Sequence, residues 1–256
     1  MLNSLESEMG LSLLLRSRGG IRLTPAGEQI LGKIREILDK KRELDTLAEI
    51  LAGENAGVVR VGAFTSVAVN WLPGIIKEFQ KSHPAVEIKM YNGDYHDIQL
   101  WLAKGEVDVG FLALPGPTGV RCIPLKEDPL VAVLPVGHPL AEYESVPIAL
   151  AAREPMISLL EASSQDVYRA LGKTGVKPEI KYETKDDYAI IAMVRAGLGI
   201  SIMPQLLLQR NAADVVLRPL EPFSSRILAL GYSDTKPQSP AAESFCDCVA
   251  QWVQNN

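Results

Sequence analysis

The chain has 256 residues, a formal net charge of −5 and 47% hydrophobic residues, which suits one or two packed domains rather than a disordered chain. Mild acidity excludes a surface basic throughout, so any nucleic-acid contact must come from a local patch. No uninterrupted apolar run approaches the ~18 residues of a membrane span, and three cysteines, Cys122, Cys246 and Cys248, are too few and too odd for a disulfide framework.

Residues 1–23 carry Arg16, Arg18 and Arg22 around Gly19-Gly20, a pattern that predicts two short extended pieces joined by a glycine turn. Their opening lacks a basic stretch followed by an apolar core, so no secretion leader is read and a cytoplasmic location is expected. Thr24-Pro25 then signals a helix start, threonine as N-cap and proline at the first helical position. From there to about Ala52 the apolar residues Ile30, Ile34, Ile37, Leu44 and Leu51 recur in steps of four and three, a heptad seam. Such a stripe on a helix otherwise charged predicts pairing with a helix from a second copy of the chain; packing within its own domain is the alternative.

GENAG, residues 53–57, reads as a linker. Beyond it strands and helices alternate: VVRVGAF (58–64) extended, NWLPGIIKEFQKSH (70–83) helical, AVEIKMY (85–91) extended, HDIQLWLAKG (96–105) helical and VDVGFLAL (107–114) extended. A second series runs through LVAVLPVG (130–137), MISLL (156–160), a helix over 163–175, EIKYETK (179–185), a helix over 186–197, ISIMP (200–204) and a short helix over 204–211. A late strand, RILALGYS (226–233), and a terminal helix close the chain. Alternation of this kind predicts an α/β fold with a largely parallel, helix-covered sheet, and two such series predict two lobes. The late strand and helix are expected to return to the first lobe.

Ligands bind open α/β sheets at the carboxyl ends of strands. The junctions there carry Thr65 and Ser66, ahead of a helix expected near Val69, and Asn92, Gly93 and Asp94 ahead of the next. On the second lobe the matching positions are Ser158, Ser163 (or Ser164, as an N-cap), Thr184, Gly199 and Ile200. Hydroxyls and unpaired N–H groups at a helix start suit a carboxylate or phosphate, so a small anionic effector is the class these junctions suggest. Each position has an equally ordinary structural reading. His83, His96 and His138 lack a ligand-like spacing to another His or Cys, no nucleophile–base pattern or glycine-rich phosphate loop is present, and the C-x-C of Cys246 and Cys248 diverges on a helix. No cofactor, metal site or enzymatic activity is expected.

Several short runs together carry a resemblance. Leu5-Glu6, Glu8-Met9-Gly10, the basic Arg16-Ser17-Arg18-Gly19-Gly20, and Leu23-Thr24 with Ala26-Gly27 resemble the end of the winged helix-turn-helix and the start of the linker helix in LysR-type transcriptional regulators. LAKGEVDVGFLAL, LPVGHPLA and AGLGISIMP are similar to later signatures of that family. The resemblance implies a two-lobed effector domain of the periplasmic-binding-protein type 2 fold, preceded by a long linker helix and a remnant of a winged helix-turn-helix. Its divisions would be 1–23 for the remnant, 24–57 for the linker helix, 58–131 with 227–256 for lobe I, and 132–226 for lobe II. It further implies a homodimer or homotetramer that senses a small molecule and controls transcription. Arg16, Arg18, Arg22 and Thr24 would contact DNA where the missing helices are supplied, since Met1 stands close before Leu5 and most of the DNA-reading helix is expected to be absent. The alternative is a solute-binding protein of the periplasmic type without a DNA function.

Overall fold

A computed structural model describes residues 2–17, 20–52, 57–160, 165–172, 175–210, 212–235 and 237–256; the side chains at 16, 17, 39, 42, 43, 46, 49, 50 and 52 are outside the description. The chain divides into two compact units, residues 1–51 and 52–256.

In the first unit, helix α1 (Leu2–Met9) ends at Gly10, whose φ of 65° is the left-handed value a C-terminal glycine supplies. Glu6 reaches forward so that Oε1 accepts from the Leu13 and Leu14 N–H groups at 2.6 and 3.0 Å, tying the helix to the hairpin. Strands β1 (Leu14–Ser17) and β2 (Gly20–Leu23) pair antiparallel, Leu15 opposite Arg22. Helix α2 (Pro25–Ala52) opens on a cap: Thr24 Oγ1 accepts from Gly27 N–H at 2.9 Å and donates to Ser12 O at 2.7 Å. A Cβ on Gly27 would stand 2.2 Å from the Leu13 carbonyl oxygen, so the helix lies against the hairpin only because that side chain is absent. Ile37, Leu44 and Leu51 are 67%, 64% and 80% exposed.

The second unit runs β3 (Gly57–Ala63), α3 (Thr65–Asn70), α4 (Leu72–Ser82), β4 (Val86–Asn92), α5 (Tyr95–Lys104), β5 (Val109–Ala113), β6 (Val120–Pro135), β7 (Val146–Pro147), α6 (Ile148–Ala151), β8 (Met156–Leu159), α7 (Gln165–Gly172), β9 (Ile180–Thr184), α8 (Asp187–Arg195), β10 (Ser201–Pro204), α9 (Gln205–Leu208), β11 (Val215–Glu221), β12 (Ser225–Ser233) and α10 (Pro240–Asn255). Among the described residues one sheet takes the order β4-β3-β5-β12-β6-β11-β7, with β10 also pairing β6, and β8 pairs β9. The β3–β4, β3–β5 and β11–β7 pairings are parallel, those of β12 with β5 and β6 and of β11 and β10 with β6 antiparallel.

The long strand β6 organises this unit. Its first half, Val120–Pro129, pairs β12, and its second half, Leu130–Pro135, pairs β10 and β11. Leu130-Val131-Ala132-Val133-Leu134 is buried on both faces. Leu130, Ala132 and Leu134 join one apolar cluster with Ile148 and Met156, while Val131 and Val133 join another with Ile190, Val194 and Met203. An unbroken apolar run is what a period-two strand between two packed layers requires. A third cluster binds β3, α4, α5 and β5 to α10 through Val61, Ile75, Ile98, Phe111, Phe245 and Val249. The late strand therefore lies beside β5, and the terminal helix packs in the same cluster. Where β6 passes from its pairing with β12 to its pairing with β10 and β11, Leu130 N–H donates to Ser224 O at 2.8 Å, just before β12 begins.

In the second unit three stretches of strand are additional to those read from the sequence: the first half of β6, the two-residue β7 and β11. The first half of β6, with Pro124 and the charges Arg121, Lys126, Glu127 and Asp128, lacks an apolar alternation, and β11 carries Arg218 and Pro219. Both are held by backbone ladders with their neighbours, and each adds apolar side chains to the clusters, Val120, Cys122 and Leu125 from β6 and Val216, Leu217 and Leu220 from β11.

Candidate functional site

Between the lobes lies a cavity of about 380 Å³, large enough for a small metabolite. Strand ends build it. The β3 end delivers Thr65 and Ser66, the β4 end Asn92, Gly93 and Asp94, the β8 end Ser158, and β10 contributes Ser201 and Met203 from the far wall.

Helix α3 begins at Thr65, earlier than the sequence suggests; its N-cap is Phe64, with no side-chain cap. The two hydroxyls therefore sit in the first turn and do not cap it. At the next junction Asp94 is the N-cap of α5 in a reciprocal capping box: Asp94 Oδ1 accepts from Asp97 N–H at 2.9 Å, and Asp97 Oδ2 accepts from Asp94 N–H at 3.2 Å. Gly93 is fixed by crowding, since a Cβ there would meet the Trp101 ring at 2.5 Å.

The floor is a buried polar network that sequence reasoning missed. Arg226, second residue of β12, faces Asp128 across the β6–β12 ladder. Its Nε and Nη2 donate to Asp128 Oδ2 at 2.8 and 2.6 Å, with the side chains only 5% and 4% exposed. Nη2 also donates to Ser66 Oγ at 2.8 Å and Nη1 to the Tyr95 hydroxyl, while the guanidinium lies over the Phe64 ring, 4.9 Å from its centroid. Burial alone would lower the Arg226 pKa, but Tyr95 and Asp128 outweigh it and raise it, so the cation is secure. Burial pushes the Tyr95 hydroxyl up as well, against the pull of Arg226 and with a push from Asp166. Tyr95 thus stays a neutral donor, and it donates to Asp166 Oδ2 on α7 at 3.1 Å. This bond spans the cavity from one lobe to the other. Asp128 Oδ1 accepts from Leu206 N–H at 2.8 Å, bringing α9 into the same network.

Across the cavity stands Asp187, the first residue of α8; burial holds its carboxyl above the ordinary aspartate range, against the lowering influence of the Thr65 hydroxyl and of Arg226. Asp186 caps that helix, Oδ1 accepting from the Tyr188 and Ala189 N–H groups at 2.8 and 3.3 Å.

The sequence-derived candidates divide as follows. Thr65, Ser66, Asn92, Gly93, Asp94 and Ser158 line the cavity. Thr184, Gly199 and Ile200 do not. Thr184 Oγ1 accepts from Asp186 N–H in the turn before α8. Gly199 is required by close packing, a Cβ there lying 2.3 Å from Pro155 O, and Ile200 is a 1% exposed bridge partner of Met156. Ser163 and Ser164 lie outside the described residues. Asp94, Asp97, Asp166 and Asp187 line the cavity together with Lys185 and Arg226. Arg226 had one sequence signal, an arginine opening an otherwise apolar strand, with Asp128-Pro129 interrupting another. Nothing local links them.

In the first unit Arg22 is exposed, while Arg18 and the side chain of Arg16 lie outside the description. Thr24 is 9% exposed with its proton given to Ser12, so its hydroxyl serves the helix start and is not available to a phosphate. Cys122, Cys246 and Cys248 are free thiols; Cys246 is buried and pushed up to about 12. Among the described residues no group of His, Cys, Asp or Glu could hold a metal ion, and no helix is long and apolar enough to cross a membrane.

Comparison with known proteins agrees with this architecture. The family model of the LysR substrate binding domain matches residues 52–254. The uncharacterized HTH-type transcriptional regulator YvbU of Bacillus subtilis (strain 168) is 29% identical over 98% of this chain and 86% of that protein. HinK, a LysR family transcriptional regulator from Pseudomonas aeruginosa, superposes with a TM-score of 0.69 at 27% identity, covering 98% of this chain and 86% of that one. The effector binding domain of QuiR in complex with shikimate superposes with a TM-score of 0.72 at 22% identity, covering 78% of this chain and 99% of that one.

Proposed function

Because the chain belongs to the LysR family of transcriptional regulators, we propose that its interlobe cavity is the effector site and that occupancy biases the arrangement of the two lobes. The observation that carries this reading is the Tyr95–Asp166 hydrogen bond across the cavity, anchored at the hinge strands through Arg226 and Asp128. A ligand lying beside that bond contacts both lobes. It therefore has different affinities for arrangements in which the lobes approach or part, which is the requirement for a ligand to shift an equilibrium.

The lobe divisions in this reading are 58–131 with 227–256, and 132–226. The exposed α2 stripe of Ile37, Leu44 and Leu51 pairs with the same stripe of a second copy, Ile30 and Ile34 completing the seam. Replacing Ile37 and Leu44 together by glutamate then reduces the sedimentation-equilibrium mass, and an unchanged mass refutes the pairing. Arg16, Arg18 and Arg22 contact phosphate oxygens, a role that suits the permanent charge and fork of arginine. The protein works in the cytoplasm, and the family's members being regulators rather than enzymes, no turnover of the bound compound is proposed.

The test of the effector site is a thermal-shift screen of a metabolite library against the wild type and Asn92→Trp. Asn92 is an exposed residue on the cavity lining, so an indole there obstructs the cavity at little expense to the fold. A ligand that binds only the native state raises stability as RT ln(1 + [L]/Kd). Compounds that stabilise the wild type are expected to lose their effect in the variant; equal stabilisation of both refutes the site.

A further inference from the structure

The cavity has a polarity of its own. Among the described residues its carboxylates Asp94, Asp97, Asp166 and Asp187 share the lining with two cations, Lys185 and Arg226, and Arg226 is already neutralised by Asp128. Helix N-termini normally attract anions, yet at α5 and α8 the protein's own carboxylates hold those positions, and only the short α3 starts at the cavity without a side-chain cap. Asp94 and Asp97 occupy the start of α5, and Asp186 takes two N–H groups of α8 while Asp187 stands beside it in the first turn. An incoming anion would find those donors taken and would meet like charge.

The hydroxyls have the same bias. Ser158 Oγ donates to Leu159 O at 3.0 Å and Ser201 Oγ donates to Ile157 O at 2.7 Å, while the Thr65 hydroxyl favours the ionised Asp187. A hydroxyl that has given its proton to the protein offers a ligand only lone pairs. Ser66, which accepts from Arg226, keeps a proton to give. Among the described residues the lining therefore sets these acceptors beside the donors Lys185 and Asn92. Of its carboxylates, Asp166 has Arg169 at 3.3 Å and Asp94 and Asp97 have each other's backbone N–H groups. Asp187 has the Thr65 hydroxyl, with Arg226 acting on it favourably and Asp186 unfavourably.

From this we infer that the effector bears a protonated amine, held by the Asp187 carboxylate and the Thr65 oxygen, and that small acids without an amine are rejected. This rests on the cavity being the effector site. An ammonium supplies three donors and a full positive charge, matching a desolvated carboxylate with the Thr65 oxygen on the same cavity lining. The raised carboxyl of Asp187 agrees, since burial there is incompletely offset until a cation arrives.

The experiment compares matched primary amines and carboxylates by thermal shift on the full chain: butylamine, 1,4-diaminobutane and benzylamine against butyrate, succinate and benzoate. Amines are expected to raise the midpoint in a dose-dependent way, and carboxylates to leave it unmoved. Asp187→Asn keeps an acceptor for Thr65 but removes the charge. It should weaken the responding amine about 10- to 150-fold, the value of a charge-assisted hydrogen bond. A carboxylate shift that disappears in Asn92→Trp overturns the amine assignment and leaves the effector site standing. An amine shift untouched by Asp187→Asn, or the absence of a shift with every amine, also overturns the assignment. A shift of either class that survives Asn92→Trp overturns the effector site itself.

Discussion

Replacing Arg226 by methionine tests the hinge network directly. Methionine keeps an unbranched stem against the Phe64 ring but removes every guanidinium bond, to Asp128, Tyr95 and Ser66. Asp128, 4% exposed, is then a buried carboxylate without its cation, retaining only the Leu206 N–H. Breaking one side of a buried, hydrogen-bonded pair costs about 3–5 kcal/mol. For a chain of this size that lowers the thermal midpoint by roughly 6–20 °C. Urea unfolding followed by circular dichroism supplies the free energy, and a double-mutant cycle supplies the cause. Asp128→Asn still accepts from Leu206, so the Arg226→Met, Asp128→Asn double variant carries neither charge and should be more stable than the sum of the single losses predicts, by about 1–3 kcal/mol. A loss below about 1 kcal/mol for Arg226→Met, or strict additivity, refutes the claim that this pair holds the hinge.

Three further outcomes are expected. Burial raises the Asp187 carboxyl in the folded protein, so its ionisation opposes folding and stability falls as pH rises from the ordinary aspartate value through the raised one. Asp187→Asn should therefore unfold at a higher temperature than wild type at neutral pH, the gain vanishing below the ordinary aspartate range; a pH series of unfolding midpoints without that convergence contradicts the assignment. At Gly110 a Cβ would stand 2.6 Å from Ile98 Cγ2 and 3.0 Å from Leu102 Cδ1, so Gly110→Ala should cost about 1–3 kcal/mol by overpacking, which urea midpoints will show. Cys246, buried in α10 with its thiol pushed up to about 12, should resist iodoacetamide at mildly alkaline pH while the partly exposed Cys122 and Cys248 are modified first; peptide mass mapping that finds Cys246 modified at the same rate would contradict its packing.

The local pattern decided much of this molecule. Thr24-Pro25 dictates a helix start because threonine caps and proline needs no amide partner there, and the cap is found at Gly27 N–H. Leu130 to Leu134 reads as a strand because every side chain is apolar, as a two-faced layer demands. The strand-to-helix junctions at Thr65 and at Asn92 to Asp94 were readable because turn and cap chemistry is local, and the cavity forms where they meet. Where local chemistry misled, at Gly199 and Thr184, a backbone approach from Pro155 and a turn at Asp186 had claimed those residues for packing. What only the tertiary structure decided is the site's electrostatic character. Arg226 meets Asp128 across 98 positions of sequence and Tyr95 across 131, and Tyr95 meets Asp166 across 71. No periodicity encodes such pairings, because burial and charge compensation arise only when the hinge strands lie side by side and remove these groups from water.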